Sequence, residues 1–287
     1  MKILIALFMS VSFMFADIVS AKWLNENLDK VRVVEVLAPD SSLHIPNATQ
    51  TTIEAWRYDN GTYLQVRKVD EIEKEISRLG IDKDTKVVLY APINEPKDLL
   101  KATYIYWALN YHGVMNVALL DGGLDAYKKD FKTVDMLINA KPTNFKATID
   151  SSKVADIEYV KANLGKLPMV DARPADMYLG VTPTPTVKRN GHISGGMSYP
   201  WIYSVDNSFK LKDKALLDDV FKNGYKLDKN KEVLVYCTGG LETSFNYFVL
   251  SGVLGYKNVR LYDASMKEWG NREDTPMTQY KFENFSN

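Results

Sequence analysis

Apolar residues along the chain alternate between two patterns, short continuous runs and stripes at helical spacing, and the alternation occurs twice. Val31 to Leu37 and Lys86-Val-Val-Leu-Tyr90 are short runs dense in β-branched and aromatic side chains. Val117 to Asp121 is a third, closed by Gly122-Gly123. Runs of this kind suit strands covered on both faces. Between them lie amphipathic stretches: Trp23, Leu24 and Leu28 behind a capping Ser20, a charge-laced helix over Val69 to Leu79, and a longer helix over Leu99 to Tyr111. His44-Ile45-Pro46-Asn47-Ala48 reads as a turn. The order strand, helix, strand, helix predicts an α/β fold, a mostly parallel sheet with helices on both faces.

After a polar connector over about Lys128 to Asp156 the same order returns. Lys153-Val154 with Asp156 to Leu164 resembles the opening strand and helix. Met169-Val170-Asp171-Ala172-Arg173 answers Val33 to Val36, and Gly191 to Gly196 answers His44 to Ala48. Val233 to Tyr236 answers Val87 to Tyr90, and Arg260 to Trp269 answers Ala118 to Tyr127. The matches never leave order, so two copies of one domain are the economical explanation. The expected layout is a first domain over 17–130, a linker over 131–155 and a second domain over 156–287. A chain of 287 residues is comfortable for two cores.

Composition removes several classes of partner. With 36 basic and 36 acidic side chains the net charge is zero, without the basic excess expected of a protein for nucleic acid or an anionic membrane. Met1-Lys2 followed by the apolar run Ile3 to Phe15 and then Ala16 has the shape of a secretory signal peptide over 1–16, too short to span a bilayer. The alternative is a hydrophobic first strand or an uncleaved anchor. The expected location is the periplasm, with no membrane span left after cleavage.

The chain has one cysteine, Cys237, at the carboxyl end of the run Val233 to Tyr236. Ligands bind at that end of strands in open α/β sheets. Gly239-Gly240 lets the backbone turn tightly enough for several N–H groups to converge, and Thr243 or Ser244 then caps a helix through Phe245, Phe248 and Val249 to Leu254. A thiol among free amides at a helix start is expected to ionise below the ~8.5 of free cysteine, as a nucleophile would. The bland reading is a small buried hydrophobe. A single cysteine and three separated histidines exclude a zinc site. A cysteine phosphatase needs arginine where Thr243 stands. In the first copy the matching position is Ala91, so that domain is expected to wall the pocket rather than repeat the chemistry.

The strand-Cys-x-x-Gly-loop-helix segment resembles the active-site loop of the rhodanese superfamily. Val19-Ser20-x-x-Trp23-Leu24, His44-Ile45-Pro46, Leu120-Asp121-Gly122-Gly123, Asp171-Ala172-Arg173, Tyr178-Leu179-Gly180, Gly191-His192-Ile193 and Glu268-Trp269 extend the resemblance to two-domain rhodaneses over nearly the whole chain after residue 16. The resemblance implies two tandem rhodanese-like domains and a sulfurtransferase. Such an enzyme takes sulfane sulfur from a small donor (thiosulfate, polysulfide or mercaptopyruvate), carries it as a Cys237 persulfide and passes it to a thiol, cyanide or protein acceptor, without metal or organic cofactor. It implies a cradle of Thr238, Gly239, Gly240, Leu241, Glu242 and Thr243, whose amides stabilise the persulfide. Asp171 and Arg173 are expected to pair internally, with Arg189 and Lys188 drawing an anionic donor toward the pocket or remaining solvated. Met177, Thr186 and Glu242 depart from the cationic pattern of the family, which favours polysulfide or a protein-borne persulfide as donor. The same departures suit the alternative, a non-catalytic binding or scaffold protein.

Overall fold

The computed structural model describes residues 18–36 and 42–285; the stretch read as a signal peptide lies outside the described residues. In chain order the first half contains β1 (Ile18–Val19), α1 (Ala21–Asn25), β2 (Arg32–Val36), β3 (Ala48–Thr51), β4 (Arg57–Asp59), β5 (Leu64–Val66), α2 (Val69–Arg78), β6 (Val87–Tyr90), α3 (Pro96–Tyr111), β7 (Val117–Leu120) and α4 (Gly123–Tyr127). The second half contains β8 (Val154–Ala155), α5 (Ile157–Ala162), β9 (Met169–Asp171), α6 (Ala175–Leu179), β10 (His192–Ile193), β11 (Gly196–Ser198), α7 (Lys214–Asp219), β12 (Glu232–Tyr236), α8 (Leu241–Tyr247), β13 (Asn258–Tyr262), α9 (Ser265–Trp269) and β14 (Met277–Thr278). Helices α7 and α8 continue as π-helical turns over Val220–Gly224 and Phe248–Val253.

Two five-stranded parallel sheets carry the fold, ordered β1-β7-β6-β2-β3 and β8-β13-β12-β9-β11. They are the same sheet built twice, as the repeated sequence pattern predicts. Antiparallel pairs β4–β5 and β10–β14 lie outside them.

Each strand alternates between two cores. Val33, Val88, Tyr90, Ala118 and Leu120 face an outer cluster with α1 and α4, whereas Val34, Val36, Val87, Leu89, Val117 and Leu119 face inward. Likewise Leu234 and Tyr236 point outward, while Val233, Val235 and Cys237 point inward. The two inward faces belong to one continuous apolar cluster, in which α3 packs against α8. The period of two along β12 therefore turns Cys237 toward the first domain. Sandwiched between layers, α3 is buried nearly all round.

Three boundaries differ from expectation. Helix α3 starts at Pro96, because Pro96 fits the first turn and the Asp98 carboxylate accepts the N–H groups of Asn94 and Glu95, both at 3.1 Å. That polar first turn is invisible to an apolar pattern. Strand β8 forms where Lys153-Val154 is expected to open the second copy, at the edge of the second sheet beside β13, so that sheet begins inside the stretch assigned to the linker. The connector before it packs on the first domain through Phe131, Leu137 and Phe145. Helix α8 begins at Leu241 behind Gly240, so Thr243 and Ser244 are helical residues rather than caps.

Candidate active site

Parallel pairing sets Tyr236 opposite Asp171, and Ala172 N–H donates to Tyr236 O at 2.8 Å. The chain then leaves the sheet at Cys237 and bends back over its own sulfur. The N–H groups of Gly239 and Gly240 point at Sγ from 3.3 and 3.2 Å. The amide and hydroxyl of Thr243 are directed at the same atom. The bend requires glycine at 240: φ is +93°, and a Cβ there would lie 2.2 Å from Asp263 Oδ1. The first turn of α9 fixes the loop from below, Met266 N–H on Cys237 O at 3.0 Å and Lys267 N–H on Thr238 O at 2.9 Å. Ser265 Oγ accepts Cys237 N–H at 3.0 Å and donates to Tyr262 O at 2.6 Å.

The cradle exists, but the thiol in it is not acidic. Cys237 is 1% exposed. Burial, followed by the Glu242 carboxylate, pushes it up to about 11, against the opposing pull of Thr243 and Gly239. The expectation of a lowered pKa is therefore overturned, because a few amide dipoles do not offset complete removal from water. Glu242 turns inward from the first turn of α8, where its carboxylate interacts with the Thr238 amide and the Cys237 thiol. Burial and the nearby Asp171 push its own pKa up to about 7, with Arg173 opposing. The Thr238 amide interacts with Glu242. Leu241 packs against the shared apolar cluster.

Asp171 and Arg173 are fully buried and locked together. Arg173 Nε reaches both carboxylate oxygens at 2.9 and 3.1 Å, and Nη2 reaches Oδ2 at 2.5 Å. The other guanidinium donors go to Thr184 Oγ1 at 2.9 Å and Gly191 O at 2.8 Å. Arg189 does not face the sulfur as a donor-drawing cation. Its guanidinium holds the carbonyls of Trp269 and Thr275 at 2.9 and 2.8 Å, at the end of α9, so it reaches the loop only through that helix.

The sequence reading missed Arg57. Its Nη2 donates to Gly239 O at 2.6 Å and Leu64 O at 2.9 Å and lies 3.5 Å from Asp263 Oδ1. Its guanidinium stacks 4.5 Å from the Tyr104 ring centre. Asp263 is further held by Tyr104 OH at 2.7 Å and Val66 N–H at 2.9 Å. The first domain thereby sends β4 and β5 across the loop of the second. Asn60-Gly61, a hairpin signal between the two strands, was the available clue to their pairing, though not to their target. Ala91 occupies the matching place in the first sheet, its carbonyl accepting Leu124 N–H at 3.1 Å, with a methyl where the second domain has sulfur. Among the described residues no group of His, Cys, Asp and Glu side chains is arranged to hold a metal, and no helix is long and apolar enough to cross a membrane.

A profile of the rhodanese-like domain matches residues 20–130 and again 156–272. The chain belongs to the rhodanese-like domain family. The sulfur carrier protein TtuD of Thermus thermophilus is 30% identical over 91% of this chain and 96% of its own. A putative thiosulfate sulfurtransferase, SseA of Mycobacterium leprae, is 30% identical over 91% of this chain and 90% of its own. The thiosulfate sulfurtransferase of Corynebacterium glutamicum is 28% identical over 91% and 89%. Among solved structures, the anaerobic ergothioneine biosynthesis enzyme from Chlorobium limicola superposes with a TM-score of 0.82 at 20% identity, covering 92% of this chain and 70% of that one, a likeness of fold. This rhodanese-like protein is a sulfurtransferase with two domains of one architecture.

Proposed function

We propose that the protein moves sulfane sulfur through a persulfide on Cys237, working in the periplasm after removal of residues 1–16. The observation that carries this reading is the pair of N–H groups, from Gly239 and Gly240, aimed at Sγ at the end of β12. Amides fixed in place before reaction favour the negative charge of Cys–S–S⁻ without reorganising. Attack of sulfur on sulfur and its reversal need neither metal nor organic cofactor. Both buried guanidinium groups near the thiol, Arg57 and Arg173, are already engaged by carboxylates, and a carboxyl lies beside the sulfur. These features favour polysulfide or a protein-borne persulfide over the thiosulfate dianion, with a thiol, a protein or cyanide as acceptor.

Intact-protein mass tests the reading. After incubation with polysulfide, wild type gains about 32 Da, removable by cyanide or dithiothreitol, and Cys237→Ser gains nothing. Thiosulfate under the same conditions loads more slowly. Failure of wild type to gain sulfur from any donor would sink the proposal.

A further inference from the structure

Cys237 must lose its proton to attack, and its surroundings make that loss difficult. The charged and titratable groups packed about it come from β9, β13, the first domain, α8 and α9, the last through Lys267, whose side chain lies beside Gly239. From the end of β9 come Asp171 and Arg173, bonded to each other and fully buried. From the end of β13 comes Asp263, held by Tyr104, Val66 and Arg57. The first domain contributes Arg57, which offers no base. From α8 comes Glu242, which among the described residues is the carboxylate that acts directly on the thiol; it is partly exposed while the sulfur is 1% exposed. Its position as the second residue of α8, the helix that starts immediately after the Gly240 whose N–H points at the sulfur from 3.2 Å, places it beside Cys237.

We propose that Glu242 relays the proton of sulfur transfer between Cys237 and the departing group, and that this selects donors which release a basic thiolate over donors which release sulfite. The proposal deepens the Cys237 persulfide reading and rests on it. For a persulfide donor R–S–S⁻, the Cys237 sulfur attacks the terminal sulfur while Glu242 takes its proton. The R–S to S bond breaks with its electron pair on R–S⁻, and Glu242 passes the proton to that thiolate. The sum is Cys–SH + R–S–S⁻ → Cys–S–S⁻ + R–SH, with no oxidant or reductant required. The second half runs the same way. An acceptor thiol gives its proton to Glu242, its sulfur takes the terminal sulfur, and Glu242 protonates the departing Cys237 sulfur, which is too basic to leave well as a thiolate. Sulfite is a weaker base than a thiolate and gains less from the relay, and its parent dianion meets the carboxylate's charge.

The test is single-turnover loading of the full chain, read by intact mass, with glutathione persulfide and separately with thiosulfate. Wild type, Glu242→Gln and Glu242→Asp are compared between pH 5.5 and 9 after circular dichroism has established folding. The ratio of wild-type to Glu242→Gln rates cancels the donor's own titration. For glutathione persulfide that ratio should rise through about pH 7 to about 100-fold. For thiosulfate, which draws on Glu242 for the Cys237 proton but not for the leaving sulfite, it should rise less. Glu242→Asp should retain the inflection at a reduced rate. A Glu242→Gln enzyme with the wild-type rate and profile, or one that loses both donors equally, overturns the relay. If Glu242→Gln does not fold, a Glu242→Asp profile without an inflection does the same. Wild type that loads from neither donor overturns the persulfide reading instead, so the two failures are distinguishable.

Discussion

At Cys237 the amides that would favour a thiolate and the burial that opposes it act on the same atom, and burial wins. The practical consequence is slow alkylation at neutral pH. With iodoacetamide the labelling rate of wild type should keep climbing past pH 9 toward about 11, and a plateau reached by pH 8 would show that the amides prevail. Glu242 has the opposite liability. Its folded pKa near 7 stands above its ordinary 4.5, so the folded chain holds that proton more tightly than the unfolded chain does. Stability from this source is complete below pH 4.5 and is lost as pH rises through about 7. Glu242→Gln should therefore match wild type at pH 4 and exceed it at pH 8 by about 1–2 kcal/mol, allowing for solvent screening of a half-buried group. Thermal unfolding at the two pH values checks the sign.

The loop between β12 and α8 is short because each of its residues has a local task. Gly240 supplies the positive φ and the close approach to Asp263, whereas at Gly239 an added Cβ meets only Lys267 side-chain carbons, the nearest at 3.3 Å. The two glycines should separate in mutagenesis. Gly240→Ala should cost about 2–3 kcal/mol and most sulfur loading, whereas Gly239→Ala should cost under about 1 kcal/mol. Denaturant midpoints together with the mass assay would show this, and equal effects at the two positions would contradict it. The strand and the glycine turn were legible from the run Val233 to Tyr236 and the doublet after it. The start of α8 was not, because Thr243 and Ser244 look like caps by composition while their hydroxyls turn inward. Ser244 Oγ meets Thr103 Oγ1 at 2.9 Å, and Thr243 Oγ1 lies 3.4 Å from Ser265 Oγ.

Across the whole molecule the two sheets share one apolar interior, and Arg57 connects the domains at the site itself. Arg57→Met would leave Asp263 buried without its cation, and the expected loss is about 3–5 kcal/mol together with slower sulfur loading in the intact chain. Arg57→Lys should recover part of both, since it keeps the charge while losing the guanidinium geometry. An Arg57→Met enzyme that loads sulfur at the wild-type rate would reduce the first domain to a packing partner.

The repeated strand and helix order, the cysteine at a strand end and the alanine at the matching place can all be read along the chain. These depend on side-chain periodicity and on glycine, properties carried by neighbouring residues. Tertiary structure alone decided three things: the acidity of the thiol, the inward turn of Glu242, and the bond from Arg57 to Gly239, 182 residues away. Each depends on which groups are brought together and which are removed from water. Desolvation and charge coupling depend on distance in space, and distance along the chain carries no record of them.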